Sequence, residues 1–219
     1  MCPKLICELI YYIDKYKYLK YNRIMKQETK EIYLNNEYKK GGFYELSIQV
    51  CPNNNFNPIQ KYTNYIWDLD YVYGPLDKNY NLINVNNKKN IFNNGILIIN
   101  EYEIPFLTMN ICEDTGYNWF NISICVGVIE KIFGNEYIVW NENPNIPKIL
   151  KIFHKDIIKE LYKIFPFELG ISGFQVSGIK YLEDLIKTEF KKGNSTIYYI
   201  GNNNYERLST NNKNNVELI

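Results

Sequence analysis

The segment from Phe43 to Val126 constrains the fold most strongly, because it breaks into short runs of β-forming residues. Gly, Asn, Pro and Asp turns separate these runs, which are FYELSIQV, YIWDLDYVY, GILII, FLTMNI and NWFNISICV. Such spacing favours hairpins between consecutive strands. The segment therefore predicts an antiparallel sheet, because a parallel sheet needs a long crossover between its strands.

The run NWFNISICV shows how one of these strands would face its surroundings. Successive side chains of a strand point to opposite faces of the sheet. One face then carries Trp119, Asn121, Ser123 and Cys125. The other face is entirely apolar and carries Phe120, Ile122, Ile124 and Val126. We expect another layer of structure to cover this apolar face.

The later part of the chain supplies the expected cover. After Pro144 and Pro147, the segment KILKIFHKDIIKELYKIF has the period of a helix, with an apolar arc opposite a row of lysines. PFELGISGFQV then predicts a buried strand, YLEDLIKTEFKKG a second helix and STIYYIG a short last strand. We predict a single α+β domain over residues 25–219, with a mostly antiparallel sheet covered on one face by two or three helices.

The first 24 residues have a pattern of their own. Their apolar residues recur at steps of three and four, which predicts an amphipathic helix. Met25 opens a polar stretch of the kind that often precedes a first strand, so residues 1–24 are either an N-terminal helix or a non-native extension. Within them, KYKYLKYNR interleaves basic and aromatic residues, which leaves a nucleic-acid-binding module as one alternative function.

The composition of the chain limits the kinds of partner that it could bind and the cell compartment in which it would work. With 25 basic and 24 acidic residues the formal net charge is +1, so no overall field would attract nucleic acid or an anionic membrane. The 5 cysteines form no Cys-x-x-Cys pair, which argues against a zinc ribbon or a disulfide framework. The absence of a signal-peptide pattern adds to this and predicts a cytoplasmic protein. The heavy use of Asn, Ile, Lys and Tyr is typical of an AT-rich genome.

Two motifs have partial nucleotide-binding or catalytic character. GFQVSGIK has the glycine spacing of a P-loop at Gly173 and Gly178, but Ile179 stands where the P-loop needs its Lys, so we predict no nucleotide and no cofactor. The single histidine, His154, lies at the edge of the apolar arc and could pair with Cys125 as base and nucleophile. No nucleophile motif accompanies either residue.

WDLDY offers the best candidate for a metal site. On a strand, Asp68 and Asp70 would point to the same face, where two carboxylates could hold Mg²⁺ or Mn²⁺. A metal-dependent hydrolase is therefore the first alternative function, and the nucleic-acid-binding module is the second. The competing interpretation is a solvated strand face, since alternating charge is typical of a half-buried strand.

The C-terminal half resembles a known class of proteins. YNWFNISICVGVIEKIFG, a proline-bounded helix and PFELGISGFQVSG resemble a pattern in uncharacterised bacterial immunity-type proteins from polymorphic toxin loci. The resemblance implies a cytoplasmic inhibitor that binds a toxin and catalyses nothing. The leading hypothesis is therefore a non-enzymatic protein-binding domain, with no catalytic residues and no metal. The candidate partner-binding residues are Trp67, Asp68, Asp70, Tyr117 and Trp119.

Overall fold

A computed structural model gives the fold and describes residues 25–137, 145–178, 180–191 and 195–219. The strands are β1 Phe43–Pro52, β2 Val72–Leu76, β3 Phe92–Ile99, β4 Tyr102–Cys112, β5 Tyr117–Cys125, β6 Leu169–Phe174, β7 Ile197–Ile200 and β8 Val216–Leu218. The helices are α1 Gln27–Leu34, α2 Asn57–Asp68, α3 Val126–Phe133, α4 Lys148–Ile164, α5 Leu182–Lys187, α6 Asn202–Tyr205 and α7 Thr210–Lys213. The predicted helix over residues 1–24 lies outside the described residues.

The strands form one eight-stranded sheet in the order β2-β3-β4-β5-β1-β6-β7-β8. Among the described strands every neighbouring pair is antiparallel except β7 and β8, which run parallel. Strand β1 lies inside the sheet, hydrogen-bonded to β5 on one side and to β6 on the other. The predicted α+β class with a mostly antiparallel sheet is confirmed.

The main core lies between one face of the sheet and the helices α2 and α4. The β1 side chains on this face are all buried: Tyr44, Leu46, Ile48 and Val50. The predicted alternation of β5 is confirmed, because its apolar face packs into the same core through Phe120, Ile122 and Ile124. Val126 begins α3 instead of continuing the strand. Helix α4 follows Pro147 as predicted, and its buried arc comprises Leu150, Phe153, His154, Ile157, Ile158 and Leu161.

The predicted strand YIWDLDYVY is wrong in its first half. Residues 57–68 form the helix α2, and strand β2 begins only at Val72. Ile59, Tyr62 and Ile66 recur at helical spacing and pack on the sheet, while Pro58 lies in the first turn, where a helix tolerates it. Burial of this face outweighs the β propensity of the aromatic residues.

Helices also lie on the opposite face of the sheet, which the sequence did not predict. At one end Tyr33 of α1 packs against Leu76, Ile96 and Ile98. At the other end α5 packs against β6 and β7 in a separate apolar cluster. The two covers leave side chains of β3 and β4 between them incompletely buried. We call this side of the sheet the second face.

Candidate partner-binding surface

Strand β4 carries polar side chains on the helix-covered face. Thr108 and Asn110 are 0% and 1% exposed. Thr108 Oγ1 accepts a hydrogen bond from Trp67 Nε1 at 3.0 Å, and Asn110 Oδ1 accepts one from Thr63 Oγ1 at 2.9 Å. The Asn110 Nδ2 group has no partner within the described residues, so burial of this side chain still carries a free-energy penalty.

The apolar side chains of β4 lie on the second face instead. Leu107, Met109 and Ile111 alternate with the polar pair and are only partly buried. Phe92 of β3 lies directly opposite Met109 in the strand register and is 58% exposed. We call these four residues the open strip. It is a row of apolar side chains that remain partly exposed side by side on a sheet face, which makes it a candidate interaction surface.

One end of the open strip leads into a cleft of about 510 Å³. Its floor is the second face of β1, β4 and β5, represented by Phe43, Leu107 and Ser123. One wall comes from α1 and the turn after it, and the other from the loop that follows β2, including Ile83. The side chains of Lys39 and Lys78 contribute to the lining and are themselves exposed. Open strip and cleft therefore form one continuous, mainly apolar surface.

The suggested pairing of His154 with Cys125 does not form, because the two residues lie on opposite faces of the sheet. His154 is fully buried under α4, where its Nδ1 lies 2.8 Å from Ser172 Oγ and its ring stacks on Tyr44 with centroids 4.6 Å apart. Cys125 lines the cleft, and its Sγ donates a hydrogen bond to the carbonyl oxygen of Lys40 at 3.1 Å. Burial lowers the pKa of His154 to about 3.

Two of the candidate partner-binding residues are core residues. Trp67 and Trp119 are each 2% exposed, so neither indole is available to a partner at the surface. Trp119 Nε1 donates a hydrogen bond to Glu113 Oε1 at 3.0 Å. Tyr117 is partly buried, and its hydroxyl donates to Glu183 Oε1 at 2.7 Å. Large aromatic side chains bury much apolar area, which explains why the two Trp residues are inside.

The strand geometry proposed for Asp68 and Asp70 is wrong. Asp68 is the last residue of α2 and Asp70 lies in the turn before β2, so the two side chains do not share a strand face. Both residues are exposed. Within the described ranges no group of three His, Cys, Asp or Glu residues could hold a metal ion.

We expect Mn²⁺ to leave the melting temperature unchanged, both in the natural protein and in the double variant Asp68→Asn, Asp70→Asn. The physical reason is that two exposed carboxylates in water gain little from a shared cation when nothing holds them together. Each substitution should change the free energy of unfolding by no more than about 0.5 kcal/mol. Thermal unfolding with and without Mn²⁺ measures this. If Mn²⁺ raised the melting temperature of the natural protein by several degrees and the double variant lost this effect, the result would support the hydrolase alternative.

The segment GFQVSGIK uses its backbone within the fold. Gly173 packs closely against Val176, because a Cβ at this position would lie 2.8 Å from Val176 Cγ1. After Gly173 the chain turns back over the second face, where Ser177 N donates to Glu45 Oε2 at 3.2 Å. The N–H of Gln175 donates to the carbonyl oxygen of Phe43 in β1 at 2.9 Å. These amides therefore donate hydrogen bonds to groups of the sheet, whereas the amides of a P-loop donate to phosphate.

The chain is thus an α+β protein whose one sheet combines a helix-covered face with an open strip. No family model, curated protein or solved structure matches it. Of the helices in the described ranges, none has the length and apolar character needed to cross a membrane.

Proposed function

We propose that this chain is a non-enzymatic protein-binding domain that docks its partner on the open strip, as a cytoplasmic immunity-type inhibitor docks a toxin. The observation that carries the proposal is the reversed alternation of β4. A strand covered on one face normally turns its apolar side chains toward that cover. Here Leu107, Met109 and Ile111 face the other way, while Thr108 and Asn110 are buried. Departures of this kind from the normal pattern are expected at functional surfaces.

Phe92 is the natural anchor of such an interface. It is a rigid aromatic side chain that is 58% exposed, and it belongs both to the open strip and to the lining of the cleft. Residues that contribute most to protein–protein affinity are enriched in aromatic side chains that become fully desolvated in the complex. A partner that covers Phe92 would also cover its strand neighbour Met109.

The chemical state of the candidate nucleophiles and base supports binding over catalysis. The His154 imidazole is enclosed, and burial holds its pKa at about 3, so it is neutral and inaccessible at pH 7. Burial raises the pKa of the thiols of Cys51, Cys112 and Cys125. A raised pKa keeps these thiols protonated and weakly nucleophilic.

The charge balance of the chain predicts how strongly its association with a partner depends on salt. A net charge of +1 gives little long-range attraction, so we expect association to rest on apolar contact and to change little with salt. A strongly acidic inhibitor would instead associate faster at low salt.

The test is to identify the product of the neighbouring gene and to co-express it with this chain, followed by calorimetry on the purified pair; we expect that product to be a toxin. We expect a stable complex and protection of growth. Met109→Asp should weaken the complex at least about 100-fold, because it places a charge in the centre of the apolar contact. Met109 is partly exposed and lies outside the cleft lining, so the variant should remain folded.

The matched control is Ile152→Asp on the exposed side of α4, which covers the other face of the sheet; Ile152 is 47% exposed. This variant also introduces one carboxylate but should leave the affinity unchanged. Equal affinities for the natural chain and Met109→Asp would show that the partner docks elsewhere. The absence of both binding and protection would overturn the immunity-type function itself.

A further inference from the structure

We propose that the cleft binds a small amphipathic carboxylate, with its hydrocarbon chain on the floor and its carboxylate at Lys39 and Lys78. The volume of about 510 Å³ suits such a ligand. Small-molecule sites in proteins occupy roughly 300–1,000 Å³ and are lined mainly by apolar side chains with a few polar groups. The inference concerns a ligand of the cleft and does not depend on a protein partner at the open strip.

Three polar side chains of the cleft lining are engaged with the protein. Ser123 Oγ donates to Glu45 Oε1 at 3.3 Å. The side chain of Asn93 accepts from Asn86 N at 2.8 Å and donates to Asn86 O at 3.0 Å. The Cys125 thiol donates to a backbone carbonyl at 3.1 Å. A ligand on the floor therefore meets mainly hydrocarbon, with the Asn94 side chain opposite Leu107 as a further polar group. This lining favours an apolar chain over a polar one.

The cationic side chains of the lining have few partners of their own, and Lys39 Nζ lies over the Tyr33 ring, 5.7 Å from its centroid. Neither Lys39 nor Lys78 has a carboxylate within ion-pair distance in the described part of the chain. Asp77 lies next to Lys78 in sequence, but its carboxylate accepts bonds from Asn79 N and from Asn81 N and Nδ2 at 2.8–3.1 Å. These bonds hold the Asp77 carboxylate within its own loop. Asp77 also lines the cleft, so a ligand head group would meet two ammonium groups and one carboxylate that is already hydrogen-bonded, a net charge of +1 from 2 cations and 1 anion.

An apolar interior and cationic side chains at its opening together select one ligand chemistry. A hydrocarbon chain gains by leaving water for the floor, in proportion to the area it buries. A carboxylate at the opening gains charge-assisted hydrogen bonds from flexible lysine ammonium groups. A cationic head group of the same size would be repelled from the same position. The cleft should therefore distinguish amphiphiles by the sign of their head-group charge.

Calorimetric titration with sodium decanoate, kept below its micelle-forming concentration, tests the inference. Decyltrimethylammonium is the matched probe, because it has the same chain length and the opposite charge. We expect decanoate to bind at least about tenfold more tightly than the cationic probe. The double variant Lys39→Gln, Lys78→Gln should lose about tenfold in decanoate affinity at an unchanged melting temperature.

Two further variants keep the result interpretable. Lys151→Gln with Lys159→Gln removes two exposed ammonium groups from α4, on the other face of the sheet, and should leave decanoate binding unchanged. Leu107→Glu places a charge on the floor and should abolish binding in a chain that remains folded. Absence of decanoate binding, equal affinity for the two amphiphiles, or insensitivity to the Lys39 and Lys78 changes would each overturn the inference. Loss of toxin binding in Met109→Asp would still support the proposed function in that case.

Discussion

Replacing Trp67 by alanine should lower the free energy of unfolding by about 3–5 kcal/mol. The indole is 2% exposed and stacks on Phe106 with ring centroids 5.3 Å apart. It also fills the space above Gly95 in β3, where an added Cβ would lie 2.6 Å from the indole ring. Alanine would leave a large cavity between α2 and the sheet and would leave Thr108 Oγ1 without its donor. Urea denaturation followed by circular dichroism measures the loss.

Trp67→Phe is the matched control, because it keeps an aromatic ring against Phe106 and removes the indole N–H. We expect it to cost about 1–2 kcal/mol, mainly from the unsatisfied Thr108 hydroxyl. It should leave partner affinity unchanged, since Trp67 is buried on the face opposite the open strip. A loss below about 1 kcal/mol for Trp67→Ala would contradict the placement of this residue in the core.

The protein should lose about 2 kcal/mol of stability between pH 7 and pH 5 through His154 alone. Burial lowers the pKa of His154 to about 3, whereas a histidine in an unfolded chain titrates near 6.5. Between these two values the unfolded chain binds a proton that the folded protein does not bind. The contribution is therefore complete above about pH 7 and is lost progressively as the pH falls from about 6.5 toward 3.

His154→Phe tests the assignment, because the sequence contains 1 histidine and the variant removes it. Ser172 Oγ keeps its other contact, with the Tyr44 hydroxyl at 3.1 Å, so the site can tolerate the change. Denaturation curves at pH 7, 6 and 5 should show a steep loss for the natural chain and a shallow one for the variant. Equal losses in both proteins would assign the acid sensitivity to other groups.

The sequence predicted the parts of the fold where burial alone sets the pattern. Strand β5 and helix α4 each have one continuous apolar face, so the periods of two and 3.6 residues could be recognised in the sequence. Helix α2 was missed because Tyr, Ile, Thr and Trp favour strands, although Ile59, Tyr62 and Ile66 carry a helical period. Helix α3 follows β5 without a turn, and periodicity cannot separate a strand from a helix in such an apolar run.

The open strip could not be predicted from β4 itself. The alternation in FLTMNI is visible, but the usual rule would turn Leu107 and Met109 inward and expose Thr108. The register decides the matter, because Thr108 lies opposite Ile122 of β5, which faces the core. The partner that makes burial of Thr108 acceptable is Trp67, which comes from the helix that the sequence did not reveal. The failure to predict helix α2 therefore also explains why the open strip was not predicted.

The position of β1 inside the sheet has a consequence for biosynthesis. Strands β2 to β5 follow one another as adjacent antiparallel strands, so they can pair as soon as they leave the ribosome. Strand β1 emerges before all of them, yet its second neighbour, β6, begins only at Leu169. Until then one edge of this strand is open to pairing with another nascent chain. A strand that is hydrogen-bonded along both edges in the finished protein therefore has an unpaired edge during much of its synthesis.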